Sequence, residues 1–98
     1  MTENTRCGIY DEFLARKLNG KVVNKYIDSS QHSYETIIIR EFKDQHLETV
    51  LFDLDTTDAF MKININDSVL KEINNDSLFR LTNNKKALIS VINFGCER

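Results

Sequence analysis

The chain has 98 residues, of which 41% are hydrophobic and 29% are charged, and its formal net charge is −2. This length fits a single domain spanning residues 1–98, and the balance of apolar and charged residues excludes an intrinsically disordered chain. The faintly acidic charge offers no general attraction for phosphate groups, which argues against a nucleic-acid partner.

The sequence contains no stretch of about 18 apolar residues, so no transmembrane segment is predicted. The polar start, MTENTR, also lacks the apolar region of a signal peptide. Two interpretations of this start remain open. The chain is either a cytoplasmic protein or a protein from which an export signal has been removed.

Cys7 and Cys96 lie near opposite ends of the chain, and the ends of a domain are often close together in space. One interpretation is a disulfide between them, which would stabilise a small exported domain by roughly 4–5 kcal/mol. The other is a pair of unrelated thiols. Neither cysteine belongs to a CxxC pair or has a histidine beside it, so no zinc site is predicted.

A helix is predicted within residues 9–19, after a tail over residues 1–8. Acidic residues at its start and basic residues near its end suit the helix dipole, and Asn19-Gly20 would close it in the left-handed conformation. The residues predicted to share its apolar face are Tyr10, Phe13, Leu14 and Leu18.

Residues 20–98 are predicted to form a β-domain. Asn-rich turn segments separate the candidate strands, and Thr56 or Thr57 would cap one helical turn near residues 59–61. The predicted fold class is mainly β (small α+β), with the N-terminal helix followed by five to seven short, mostly antiparallel strands in a rolled sheet or small barrel. The candidate strands cover residues 21–28, 34–42, 46–54, 69–73, 77–82 and 87–94, with a brief extended piece at 63–65.

Three aspartates, Asp53, Asp55 and Asp58, form a D-x-D-x-x-D cluster that is a candidate metal site. The cluster lacks the glycine and the glutamate of a calcium-binding EF-hand loop. The favoured interpretation is that the aspartates begin a turn after a strand. No metal and no cofactor are therefore predicted.

A binding surface is predicted from the turn at residues 29–33 and the irregular segment at 55–62. Asp28 and His32 flank the turn and would form half of an acid–base site, although no nucleophile accompanies them. The alternative is a turn held by local hydrogen bonds. Tyr34 is expected to be partly exposed beside this turn, and Phe60 completes the predicted surface.

Three segments carry a resemblance to a known group: KYIDSSQHSYET (25–36), INDSVLK (65–71) and NFGCE (93–97). Through them the chain resembles small β-domain proteins of Gram-negative bacterial envelopes, which are often exported or lipid-anchored. Those proteins commonly have glycine where Asn66 stands here, and asparagine is the next best residue for a left-handed turn. No apolar lipobox precedes Cys7, which argues against a lipid anchor on it. The resemblance implies a compact β-domain that is periplasmic, outer-membrane-associated or secreted, and it implies no activity.

The predicted function is non-enzymatic, because the sequence shows no nucleophile–base pair, phosphate-binding loop or metal-ligand spacing. We expect an accessory component of the envelope that binds another protein. The alternative is a barrel that binds a small ligand or an oligosaccharide in a pocket lined by Tyr26, Tyr34 or His32. An enzymatic interpretation depends on Asp28 and His32 alone.

Overall fold

The computed structural model describes residues 3–28 and 34–97, and the side chains of residues 5–27 and 34–97. Its strands form one antiparallel sheet in the order β3-β2-β1-β4-β5-β6. The fold is therefore mainly β with an N-terminal helix, and its six strands fall within the predicted range. The elements in chain order are α1 (Glu3–Ala15), β1 (Leu18–Asp28), β2 (Tyr34–Glu41), β3 (Leu47–Leu51), α2 (Ala59–Lys62), β4 (Ser68–Lys71), β5 (Ser77–Thr82) and β6 (Lys85–Val91).

The sheet is open, with β3 and β6 as its two edges, so of the two predicted forms, a rolled sheet or a small barrel, the closed barrel is not confirmed. A sheet need not close into a barrel to bury its apolar face when other elements cover that face, and here they do. Phe13 from α1, Phe60 from α2 and Phe94 from the C-terminal segment are all buried in the same core. The Phe13 ring packs edge-on against Phe94, with their centroids 5.6 Å apart.

Helix α1 lies earlier in the chain than predicted. Residues 3–8 are helical and do not form a tail, whereas Leu18 and Asn19 belong to β1. The helix ends at Ala15, where its carbonyl groups find partners outside the helix. The Leu14 carbonyl accepts hydrogen bonds from the Asn74 amide at 2.7 Å and from Lys71 Nζ at 3.2 Å.

Gly20 was predicted to help close the helix, and it serves a different purpose. It lies in β1 opposite Glu41 of β2. A Cβ atom at this position would come within 2.2 Å of the Arg40 carbonyl oxygen. Glycine is therefore required because the two strands approach closely here.

Lys71 at the end of β4 is fully buried. Its Nζ donates to the carbonyl oxygens of Leu14 at 3.2 Å, Glu72 at 2.7 Å and Arg16, and it lies 5.0 Å from the centroid of the Phe13 ring. Burial and, to a smaller extent, the Arg16 charge lower the pKa of Lys71 to about 8, while the carboxylates of Asp76 and Glu72 oppose the change. This side chain ties the C-terminal end of α1 to the sheet.

Asparagines occupy several left-handed turn positions. Asn83 and Asn84 alone join β5 to β6, with φ of 51° and 65°, as a two-residue type I′ hairpin turn requires. Asn66 has φ of 79° before β4, which confirms its predicted left-handed conformation. These turns are encoded locally, so the sequence predicted them well.

Candidate functional site

The structure describes the side chains of two of the four residues of the predicted binding surface, Tyr34 and Phe60. Tyr34 is half-buried and lines an open groove. Phe60 is only 4% exposed and packs beneath Lys25, whose Nζ is 4.7 Å from the ring centroid, so its assignment to a surface is wrong. The side chain of Asp28 and the whole of His32 lie outside the described residues, and so does the acid–base pair predicted from them.

Asp55 organises the segment that leads into α2. Its carboxylate accepts hydrogen bonds from the Thr57 amide at 3.1 Å, the Ala59 amide at 2.9 Å and the Asn93 amide at 3.3 Å. Because Asp55 binds the first amide of α2, the predicted cap by Thr56 or Thr57 is wrong.

The aspartate cluster has the geometry of a turn. Asp53 and Asp58 are exposed, whereas Asp55 is engaged with backbone amides. Across residues 3–28 and 34–97, no three His, Cys, Asp or Glu side chains are grouped so that they could hold a metal ion.

Cys7 and Cys96 form a disulfide, so of the two interpretations of these cysteines that the sequence left open, the bridge is the one the structure contains. The bond joins α1 to the C-terminal segment across 89 positions of sequence, with the two Cα atoms 4.6 Å apart. Arg6 reinforces the same junction by donating from Nη1 to the Phe94 carbonyl at 2.9 Å. The position of the helix beside the sheet is therefore fixed covalently.

An open groove of about 540 Å³ lies between α1 and the edge strand β3. Its helical side consists of residues spaced about one turn apart, and its floor is largely apolar. The volume is typical of pockets that hold small molecules or peptide side chains. The lining residues are Thr5, Ile9, Glu12, Phe13, Arg16, Tyr34, Thr49, Val50, Leu51, Asp53, Leu54 and Phe94.

An ion pair closes one end of this groove. Arg16 Nη2 donates to Glu48 Oε1 at 2.6 Å, and this bond lowers the pKa of Glu48. Glu48 also contacts His46 Nε2, and hydrogen bonds to Asp44 and Glu48 raise the pKa of His46. The Arg16 charge is thus already compensated by the protein itself.

The opposite end of the groove is acidic. Asp53 lines it, and the Glu35 side chain lies nearby. Partial burial raises the pKa of Glu35, and the negative charges of Asp53, Asp55 and Asp58 raise it further. Asp53 is thus the carboxylate that lines the groove, and Glu35 feels its charge together with those of Asp55 and Asp58, with the Lys25 charge as a partial counterweight.

The backbone of β3, which borders the groove, has hydrogen-bonding groups that face away from β2. The Phe52 amide donates to the Glu35 carbonyl of β2 at 2.9 Å. Val50 lies two residues earlier, opposite Ile37, so its N–H and C=O also face β2. Because inward and outward groups alternate along an antiparallel edge, the N–H and C=O of Thr49 and Leu51 face outward. Within the described part of the chain, no backbone hydrogen bond uses these outward groups.

Comparison with protein-family models, with curated proteins and with solved structures finds no match to this chain. No helix among the described residues is both long enough and apolar enough to cross a membrane.

The groove was missed by sequence reasoning, although one weak signal was present. The strand sequence LETVL contains no lysine or proline, the residues that commonly protect an edge strand from pairing. This signal becomes useful only when β3 is known to be an edge, and that depends on the strand order of the whole sheet.

Proposed function

We propose that this domain is an exported protein-binding module and that its partner occupies the groove between α1 and β3. The observation that carries the proposal is the coincidence of an open apolar cavity with outward backbone groups at Thr49 and Leu51. The opposite face of the sheet also exposes apolar residues such as Leu88, but it offers side chains only. The groove offers both apolar contact and hydrogen bonds, which together give a protein partner affinity and register.

The export part of the proposal is supported by the Cys7–Cys96 disulfide. Such bonds persist in oxidising compartments and are rare in the reducing cytoplasm. The resemblance to small envelope proteins points in the same direction. Intact-mass analysis of protein taken directly from its own cells, with thiols blocked at lysis, tests this part. Blocking of both cysteines in most molecules would contradict export.

A groove-filling substitution tests the binding part. We expect Ile9→Arg, which places a charged side chain in the groove, to abolish capture of a specific partner from envelope extracts. Ile73→Arg is the matched control, because Ile73 is 57% exposed and is not a lining residue. The captured partner is then purified, and its dissociation constant is measured for each variant.

Circular dichroism and thermal unfolding establish that the variants are folded. Where Ile9→Arg does not fold, Glu12→Arg provides the same block from an exposed position on α1. A purified partner that binds both groove variants as tightly as the wild type would refute the proposed site.

A small apolar ligand is the second candidate occupant, because the cavity volume suits one and Ile9, Phe13, Leu54 and Phe94 line it. Native mass spectrometry of protein isolated under mild conditions would then show bound mass of small-molecule size. Ile9→Arg should remove that mass, and Ile73→Arg should retain it.

A further inference from the structure

The two edges of the sheet differ in how well they are protected from pairing with another strand. The β6 edge begins with Lys85 and Lys86, and its pairing with β5 contains a register shift between Leu78 and Phe79. Lysines and bulges of this kind discourage strand addition. The β3 edge has no lysine, and its pairing with β2 runs in regular register from Thr36–Leu51 to Arg40–Leu47. Of the two edges in the described part of the chain, β3 is therefore the regular one without these protections.

Helix α1 restricts what can pair with this edge. The groove is bounded on one side by α1 and on the other by Thr49, Val50 and Leu51 of β3. An extended segment fits this shape, because its backbone can pair with Thr49 and Leu51 while alternate side chains enter the cavity beside Ile9 and Phe13. The side chains that enter the cavity should be apolar, since the floor is apolar.

The charges at the two ends of the groove indicate which charged residue the incoming segment should carry. Arg16 is already paired with Glu48 at one end, whereas Asp53 and the neighbouring carboxylates leave the other end negative. A lysine or arginine of the incoming segment would compensate this charge. A second copy that pairs through its own β3 edge offers no such residue, because that strand is LETVL, whose only charged residue is an acidic one. Its β6 edge carries lysines, but it is the edge that lysines and a register shift protect from pairing.

We propose that the partner contributes an extended segment that pairs with β3 as a seventh strand, with apolar side chains towards α1 and a lysine or arginine beside Asp53. This inference rests on the proposed function, since it specifies how a protein partner occupies the same groove. It is a case of strand addition, in which the backbone provides affinity and the side-chain pockets provide selectivity.

The test uses a substitution that removes one outward N–H group. Thr49→Pro eliminates the Thr49 amide proton but leaves the inward bonds of Val50 to β2 in place, and proline is tolerated at such edge positions. Thr49→Ala is the matched control, because it removes the side chain and keeps the N–H. The probe is a labelled, acetylated peptide of six residues with valine at alternate positions and one terminal lysine.

Binding is measured by fluorescence anisotropy, and the site is mapped by amide chemical-shift changes. We expect shifts at Thr49 and Leu51, an affinity loss of about tenfold or more for Thr49→Pro, and little change for Thr49→Ala. Replacing the lysine of the peptide with glutamate should weaken binding to the wild type. Asp53→Lys should remove or reverse that preference.

Where Thr49→Pro does not fold, a peptide N-methylated at alternate residues removes the same bonds from the other side and should bind at least about tenfold more weakly. Several results would overturn strand addition: equal binding by Thr49→Pro and Thr49→Ala, no binding of any peptide in the series, or a wild-type dimer that Thr49→Pro converts to a monomer. If Ile9→Arg still abolishes partner binding in those cases, the groove remains the site and only the extended-strand mode fails.

Discussion

The buried Lys71 predicts an unusual dependence of stability on pH. Its pKa is about 8 in the folded protein, against an ordinary value of 10.5. Between these two values the unfolded chain binds the proton more tightly than the folded protein does. The free energy of unfolding contributed by this group must therefore rise as the pH increases from about 8 towards 10.5.

The magnitude follows from the difference between the two pKa values. Two and a half pH units at about 1.4 kcal/mol each give about 3–4 kcal/mol for the complete transition. Most of this change, about 2–3 kcal/mol, should develop between pH 7 and pH 10. The physical origin is the cost of removing the charged ammonium group from water. Hydrogen bonds to three carbonyl oxygens offset this cost only in part.

Urea denaturation of the wild type and of Lys71→Met, from pH 7 to pH 10, measures this contribution. Methionine retains most of the apolar side chain and does not titrate, and subtracting the two stability curves removes the titration of groups common to both proteins. We expect the wild-type free energy of unfolding to rise relative to the variant by about 2–3 kcal/mol over this range. A difference that stays constant or falls would show that the carbonyl groups fully solvate the charge and that the reasoning is wrong.

Three further substitutions probe other features of the fold. Replacing Cys7 and Cys96 with serine should lower the free energy of unfolding by roughly 4–5 kcal/mol, measured by urea denaturation beside the reduced wild type, because the bond closes a loop of 89 positions; a change below about 1 kcal/mol would contradict the loop-entropy reasoning. Gly20→Ala should cost about 1–3 kcal/mol in the same assay, because its Cβ meets the Arg40 carbonyl, and an unchanged midpoint would mean that the strands separate without penalty. Asn84→Gly should raise the melting temperature by a few degrees, because glycine suits φ of 65° better than asparagine does, whereas a lower melting temperature would argue against a type I′ turn.

Features encoded by neighbouring residues were predicted well from the sequence. The strand at residues 77–82 has the predicted bounds, and the two-residue turn at Asn83-Asn84 follows from residue types that tolerate positive φ. The Cys7–Cys96 bond was accessible because the two ends of a small domain tend to meet.

Features that depend on distant residues were not predictable. The end of α1 is set by Lys71, which is more than 50 residues away in sequence, and no local pattern reveals that contact. The sequence shows a glycine at position 20, which fits either a helix end or a close approach of two strands. The structure shows the close approach. The binding groove depends on β3 being an edge, which only the complete strand order establishes.

The disulfide has a mechanical consequence for the domain. Tension applied at residues outside Cys7 and Cys96 would pass directly through a covalent bond between Cα atoms 4.6 Å apart, so the sheet and α1 would carry almost no load. In single-molecule pulling, the oxidised domain should behave as a short inextensible link. Once the bond is reduced, unfolding of the domain under tension should release about 300 Å of chain, since each residue spans about 3.4 Å when extended. A folded groove could therefore stay intact and able to bind while the chain that contains it is under tension.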